Sequence, residues 1–186
     1  MSFRQIIIVF FVASMGFSCD DQLSGFGYPT YDSEGNLAID REKIDEYLKT
    51  ADYDSLYRIH DPSGVVIIVE EEGTGSRPVS GNVIYTNYTG YLLDGTVFDS
   101  NLEDVATAND IYDENRKYDI FNFYLGLSSS QGGAIQGFTL GFQRLRSGSK
   151  ATIIIPSPYA YQDSESVERV PANSVLVFDV EFLGMD

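Results

Sequence analysis

The chain has 186 residues, 43% of them apolar and 13% aromatic, enough for one globular domain with an appendage and too few for two ordinary domains. Its formal net charge of −16 repels phosphate backbones and excludes nucleic acid as an expected partner. With Cys19 the sole cysteine and His60 the sole histidine, neither a Cys/His zinc site nor an intrachain disulfide can be built.

Residues 1–18 read as a secretory signal. Arg4 supplies a minimal positive start, and Ile6–Phe17 is an apolar run too short to span a bilayer. A cysteine directly after such a run resembles the lipid-attachment residue of bacterial lipoproteins. Gly16 stands where those signals usually carry an aliphatic residue, three positions before the cysteine. Lipidation of Cys19 is the expectation, with a plainly cleaved signal and a free thiol as the alternative. The protein is then exported, with the bacterial envelope as its destination and the membrane touched only through the lipid.

Residues 19–39 are rich in Gly, Ser, Asp and Tyr and read as a linker. Asp40 is placed to cap a short helix, with a connector following to residue 63. Ile44, Tyr47, Leu48 and Ala51 follow the spacing of one buried stripe. That stripe must be covered by its own domain or by a partner chain, so a homodimer through this helix is one expectation. His60 lies in RIHDPSG, a loop-like stretch at the surface, and no serine or cysteine nucleophile with a base is evident beside it.

From Gly64 the pattern is that of strands: GVVIIVEEEG, VIYTNYTGYLL, Phe121–Leu125, Ala151–Ile155 and Val175–Leu183. In the last, Leu176, Phe178, Val180 and Phe182 share one face while Asp179 and Glu181 point away. One helix interrupts the series, with Ile135, Phe138, Phe142 and Leu145 on one stripe and Gly148 as its stop. An antiparallel sheet with one short helix on its apolar face follows, and the fold class is α+β. Asn101–Ile120 is acidic and lacks a sustained period, so it reads as a long surface insertion. Neither it nor DSEGN at Asp32–Asn36 has the spacing of a calcium-binding loop. GTGSRPVSG at Gly73–Gly81 places Pro78 where a dinucleotide-binding loop needs its third glycine, and GSKA at Gly148–Ala151 leads into a strand.

Three ordered motifs then coincide. NYTGYLLDGTVFDS, IQGFTLGFQRLRSGSKATIIIPSPYAY and VPANSVLVFDVEFLGM resemble the signature segments of FKBP-type peptidyl-prolyl cis-trans isomerases, over residues 64–184. The resemblance implies a bent antiparallel sheet wrapped around a short helix, within a domain spanning residues 64–186. It also implies a prolyl pocket formed by Tyr88, Phe98, Asp99, Phe121, Ile135, Phe138, Tyr161, Val170 and Phe178. Of these, Tyr88, Phe98, Asp99, Tyr161 and Phe178 would carry catalysis, and Phe121, Ile135, Phe138 and Val170 would shape substrate binding. Proline-containing polypeptides would be the partners, and neither metal nor cofactor is called for. A non-catalytic module that holds a proline segment is the alternative.

This chain departs from the family pattern in three places. Phe138 stands where many members have Trp, Gln162 replaces the usual Gly after Ala-Tyr, and Ala134 replaces a larger aliphatic residue. The backbone after Val170 offers no donor, because Pro171 lacks an N–H.

The hairpin around Asp94-Gly95 raises a register question. A two-residue turn puts Phe98 on the face away from Tyr88, whereas a three-residue loop, Asp94-Gly95-Thr96, puts the two together. The resemblance requires the shared face, so a longer loop or a bulge is expected. Asp99 reaches the same pocket only if the strand bends there.

Overall fold

The computed structural model describes residues 30–186, so the signal and Cys19 lie outside the described residues. Tyr31–Asp186 folds as one unit around a seven-stranded antiparallel sheet. Along the chain come α1 (Ser33–Thr50), β1 (Tyr57–His60), β2 (Val66–Glu71), β3 (Val83–Leu92), β4 (Val97–Ser100) and α2 (Glu103–Ala108). There follow β5 (Phe121–Tyr124), α3 (Gln136–Phe142), β6 (Lys150–Ile155) and β7 (Leu176–Met185). The strand order is β1-β2-β6-β7-β3-β4, and β5 pairs with the first half of β3 on the edge that β4 shares.

The central strands are apolar on both faces because both faces are covered. Val65, Ile67, Val69, Ile153, Ile155, Leu176, Phe178, Val180 and Phe182 face the cluster under α3. Val66, Ile68, Ile154, Val175 and Val177 face a second cluster, which Ile44 of α1 closes with Tyr47 and Leu48. Continuous runs such as VVIIV are what two-sided burial demands of a strand. The stripe of α1 is therefore taken up by its own sheet. Hydroxyls add to this attachment: Tyr47 and Tyr53 lie 2.7 Å apart, Tyr53 and Tyr91 3.4 Å, and Tyr91 donates to Asp179 at 3.0 Å.

On the opposite face α3 sits close to β6. A Cβ on Gly137 would come 2.3 Å from Ile155, and one on Gly141 would come 2.7 Å from Ile153, so glycine at both positions permits the approach. The helix buries Phe138 and Phe142, and Leu145 follows into the core from the turn beyond.

Four sequence expectations need correction. The first helix starts at Ser33 and is capped by Asp32, whose side chain accepts from the Gly35 N–H; Asp40 is a buried residue within it. His60 ends an exposed edge strand rather than lying in a loop. The acidic insertion contains a short helix, α2. Gly148 lies in the turn before β6, well past the end of α3 at Phe142.

Candidate active site

The hairpin from β3 to β4 sets the site. Leu92 and Thr96 pair through the Leu92 N–H, 2.9 Å from the Thr96 carbonyl, and enclose a three-residue loop, Leu93-Asp94-Gly95. The loop is three residues long, as one of the two registers requires, but begins one residue earlier. Tyr91 then pairs with Val97 and Gly90 with Asp99, which leaves Phe98 as the extra residue of a bulge. The bulge turns Phe98 into the core beside Tyr88 and leaves the neighbouring Asp99 half-buried at its edge.

A cavity of about 240 Å³ opens between the sheet and α3. Tyr88, Phe121, Phe138 and Phe178 form its aromatic walls and floor, Ile135 and Ala134 close one side, and Asp99, Tyr161 and Ser129 supply polar atoms. The rings meet edge to face: Phe138 and Phe178 have centroids 4.7 Å apart at 77°, and Tyr88 and Phe121 lie 5.2 Å apart at 72°. Such packing holds the rings in one arrangement beyond what area burial alone provides.

Phe98 does not line this cavity. It packs edge-on behind Phe178, with centroids 5.5 Å apart, and lines an adjoining cavity of about 420 Å³ with Asp99 and Tyr161. Val170 is buried in the same core and lines neither cavity. The structure thus brings Tyr88, Asp99, Phe121, Ile135, Phe138, Tyr161 and Phe178 to one cavity wall and sets Phe98 and Val170 behind it.

The polar side of the site is a network. The Tyr88 hydroxyl donates to Asp99 Oδ2 at 2.6 Å. Arg116 pairs with Asp99 Oδ1 and also donates to the Tyr88 hydroxyl at 3.1 Å. Burial pushes the Tyr88 hydroxyl up from its ordinary value, the Asp99 charge adds to this, and Arg116 only partly offsets both. Burial and then Asp99 push Tyr161 up likewise, so both phenols stay protonated as donors at neutral pH. For Arg116 the burial penalty is outweighed by Asp99 and Tyr88, which hold the guanidinium charged.

Sequence reasoning missed Arg116, which sits in a segment read as solvated and acidic. The available signal was one arginine in a long insertion next to the expected pocket rim. Asn101 anchors that insertion: its Oδ1 accepts the Tyr88 N–H at 2.7 Å, and its amide donates to Asn87 and to the Asp119 carbonyl. Among the described residues no group of three His, Cys, Asp or Glu side chains is placed to hold a metal ion.

The family model for FKBP-type peptidyl-prolyl cis-trans isomerases matches residues 75–183. The chain belongs to this family. Human peptidyl-prolyl cis-trans isomerase FKBP4 is 34% identical over 119 residues, which make up 63% of this chain and 22% of that protein. The FKBP-type isomerase FkpA of Aeromonas hydrophila is 36% identical over 124 residues, 67% of this chain and 39% of its own. In three dimensions the crystal structure of FkpA from Escherichia coli aligns with a TM-score of 0.58 at 28% identity, covering 83% of this chain and 62% of that one. The chain therefore spans less than two thirds of these relatives.

Within the FKBP-type frame, the departure at Gln162 has a conformational meaning. Its φ is +57°, a left-handed conformation that glycine adopts without penalty and a side chain does not. The Asn173 N–H, 2.7 Å from the Gln162 carbonyl, helps to hold it there.

Proposed function

We propose that this FKBP-type chain catalyses rotation about Xaa–Pro bonds by binding the proline ring in the aromatic cavity. The observation that carries the reading is the enclosure of an apolar cavity by Tyr88, Phe121, Phe138 and Phe178, with the Asp99 carboxylate and the Tyr161 hydroxyl also on its wall.

An Xaa–Pro bond rotates against amide resonance, over a barrier of about 18–20 kcal/mol. The planar amide is charge-separated and well solvated by water. The twisted state has lost resonance and is less polar, so transfer from water into an aromatic cavity raises the planar form relative to it. Tyr161 is protonated and offers a donor to a peptide carbonyl. Asp99, oriented by Tyr88 and Arg116, presents a fixed negative field beside the rotating carbonyl, with no covalent step. Tyr88, Asp99, Tyr161 and Phe178 would act on the substrate, and Phe98 would brace Phe178. Phe121, Ile135 and Phe138 would shape the ring site, with Val170 supporting it from the core. Phe138 offers no indole donor at the floor, so ring binding there rests on shape and burial alone.

Protease-coupled isomerisation of several Xaa–Pro tetrapeptides tests the proposal. A rate rising linearly with enzyme, and lost in Phe178→Ala with the fold intact, supports it. Peptide binding with no acceleration at micromolar protein would instead make the domain a proline-segment binding module.

We further propose that the protein is exported, assists the folding of exported proteins, and is tethered to the bacterial envelope by lipid on Cys19. The apolar run Ile6–Phe17 and the cysteine that follows support this reading. Incorporation of labelled fatty acid in cells, abolished by Cys19→Ser, is the expected result. Burial of the α1 stripe on its own sheet removes the reason for pairing through that face, so the expected species is a monomer.

A further inference from the structure

Asp40 is fully buried in the middle of α1, yet no catalytic step above uses it. Its Oδ2 accepts two hydrogen bonds from one distant residue, from the Ser157 N–H at 2.8 Å and from the Ser157 hydroxyl at 2.6 Å. Its Oδ1 accepts from Lys43 at 2.9 Å, which compensates the charge. The Ser157 hydroxyl has spent its proton on Asp40, so the Tyr31 hydroxyl, 3.0 Å away, must be its donor. A fully buried carboxylate with three hydrogen bonds is costly to leave half-satisfied, and two of the three hold Ser157.

Ser157 is the first residue of a 3₁₀ turn, Ser157–Tyr159, that leads directly into Tyr161. Its carbonyl accepts the Ala160 N–H at 3.0 Å and the Gln162 N–H at 3.1 Å, the residues on either side of Tyr161. Gln162 is held at positive φ, a conformation that needs external constraint. A continuous path of short hydrogen bonds therefore runs from the N-terminal helix through Ser157 to the backbone that aims the Tyr161 hydroxyl.

We propose that Asp40 is a positioning residue for Tyr161, and that α1 is in consequence part of the catalytic domain. The inference rests on the isomerase reading for its kinetic consequence and on the geometry alone for its structural one. The α1 helix sets the substrate donor by holding the Ser157 turn, without touching substrate.

The test is a cycle of Asp40→Asn, Tyr161→Phe and the double variant in the full mature chain, read by kcat/KM for a proline tetrapeptide. Asp40→Asn keeps the shape but presents an amide where a carboxylate accepted, and Ser157→Ala serves as the milder variant should it fold poorly. Each single change is expected to lower kcat/KM about five- to tenfold, of the size that small misplacement of a substrate-positioning group produces. The double variant is expected to fall no further than Tyr161→Phe alone. Losses that multiply in the double variant would overturn the proposal, since a general loosening of the fold adds to any site defect.

The second readout needs no activity. The ring resonances of Tyr161, assigned by their disappearance in Tyr161→Phe, shift in Asp40→Asn and in Ser157→Ala if the path holds. Unchanged resonances in both would overturn it. A wild-type chain that fails to isomerise the peptide would sink the isomerase reading, and the resonances would still decide the role of Asp40.

Discussion

Arg116 and Tyr88 are joined across 28 residues of sequence by a hydrogen bond of 3.1 Å, and the same guanidinium pairs with Asp99. The insertion thus returns a cation to the adjoining cavity, where it fixes both the carboxylate and the phenol that line the aromatic one.

Removing that cation releases Asp99 without opening the core. Arg116→Ala is expected to lower kcat/KM about three- to tenfold, the size of one charge-assisted hydrogen bond that has lost its orientation. Arg116 and Asp99 are each about a third exposed, so the change in urea midpoint should be small. A full-rate variant in the peptide assay would refute the orienting role.

Gly90 lies where the ring of Phe178, on the cavity wall, meets that of Phe98 behind it. A Cβ there would come 2.7 Å from Phe178 Cε1 and 2.7 Å from Phe98 Cζ. Gly90→Ala should cost about 1–3 kcal/mol by overpacking and should also weaken proline-peptide affinity, because one of the two rings pressed on, Phe178, lines the cavity. Urea unfolding and a peptide titration followed by NMR check both halves. A stability loss with unchanged affinity would show that the strain relaxes away from the cavity.

The helix α1 should unfold with the sheet. Ile44 is only 2% exposed and closes the second cluster. Ile44→Ala is expected to cost about 2–5 kcal/mol, with a single urea transition and an unchanged slope. Two separate transitions, one of them helical by circular dichroism, would mean that α1 is an independent attachment.

The raised hydroxyls of Tyr88 and Tyr161 set an alkaline limit. Their values in the folded protein lie above the ordinary 10.0, so the folded state holds its protons where the unfolded chain would release them. The resulting stability is fully present below the unfolded value and is lost as pH rises through the folded ones. The isomerisation rate should stay flat from neutral pH to about 9, and these two phenols should ionise only as the protein unfolds. Their early appearance in the ultraviolet phenolate titration, with the fold intact, would contradict the burial argument.

Local chemistry made much of this architecture legible. The alternation in β7 follows from periodicity and lies as expected, and of the α3 stripe Phe138 and Phe142 lie on the helix while Ile135 precedes it and Leu145 follows it. The hairpin was legible to within one residue. Pattern alone could require a longer loop or a bulge, but the choice of Leu93-Asp94-Gly95 with Phe98 bulged depends on how both strands pack. Asp40 was misread as a cap because an aspartate before an apolar stripe is what a cap looks like. Its partner Ser157 is 117 residues away, beyond the reach of any local rule. Arg116 was hidden for the same reason, as a long-range contact inside a segment whose composition spoke only of solvent.

Asn101 has a consequence for how this domain could be altered. One side chain ties β3 to the Asp119 carbonyl, so the segment between Leu102 and Asp119 leaves and re-enters the fold through one clasp. The entropy of closing such a loop grows only slowly with its length. Within that segment Ile111, Tyr112 and Asp113 line the adjoining cavity, while Ala106 of α2 is buried against the fold. Changes of charge at the exposed Tyr112 and Asp113 would therefore alter that adjoining cavity and leave the clasp intact, provided that Asn101 and Arg116 remain.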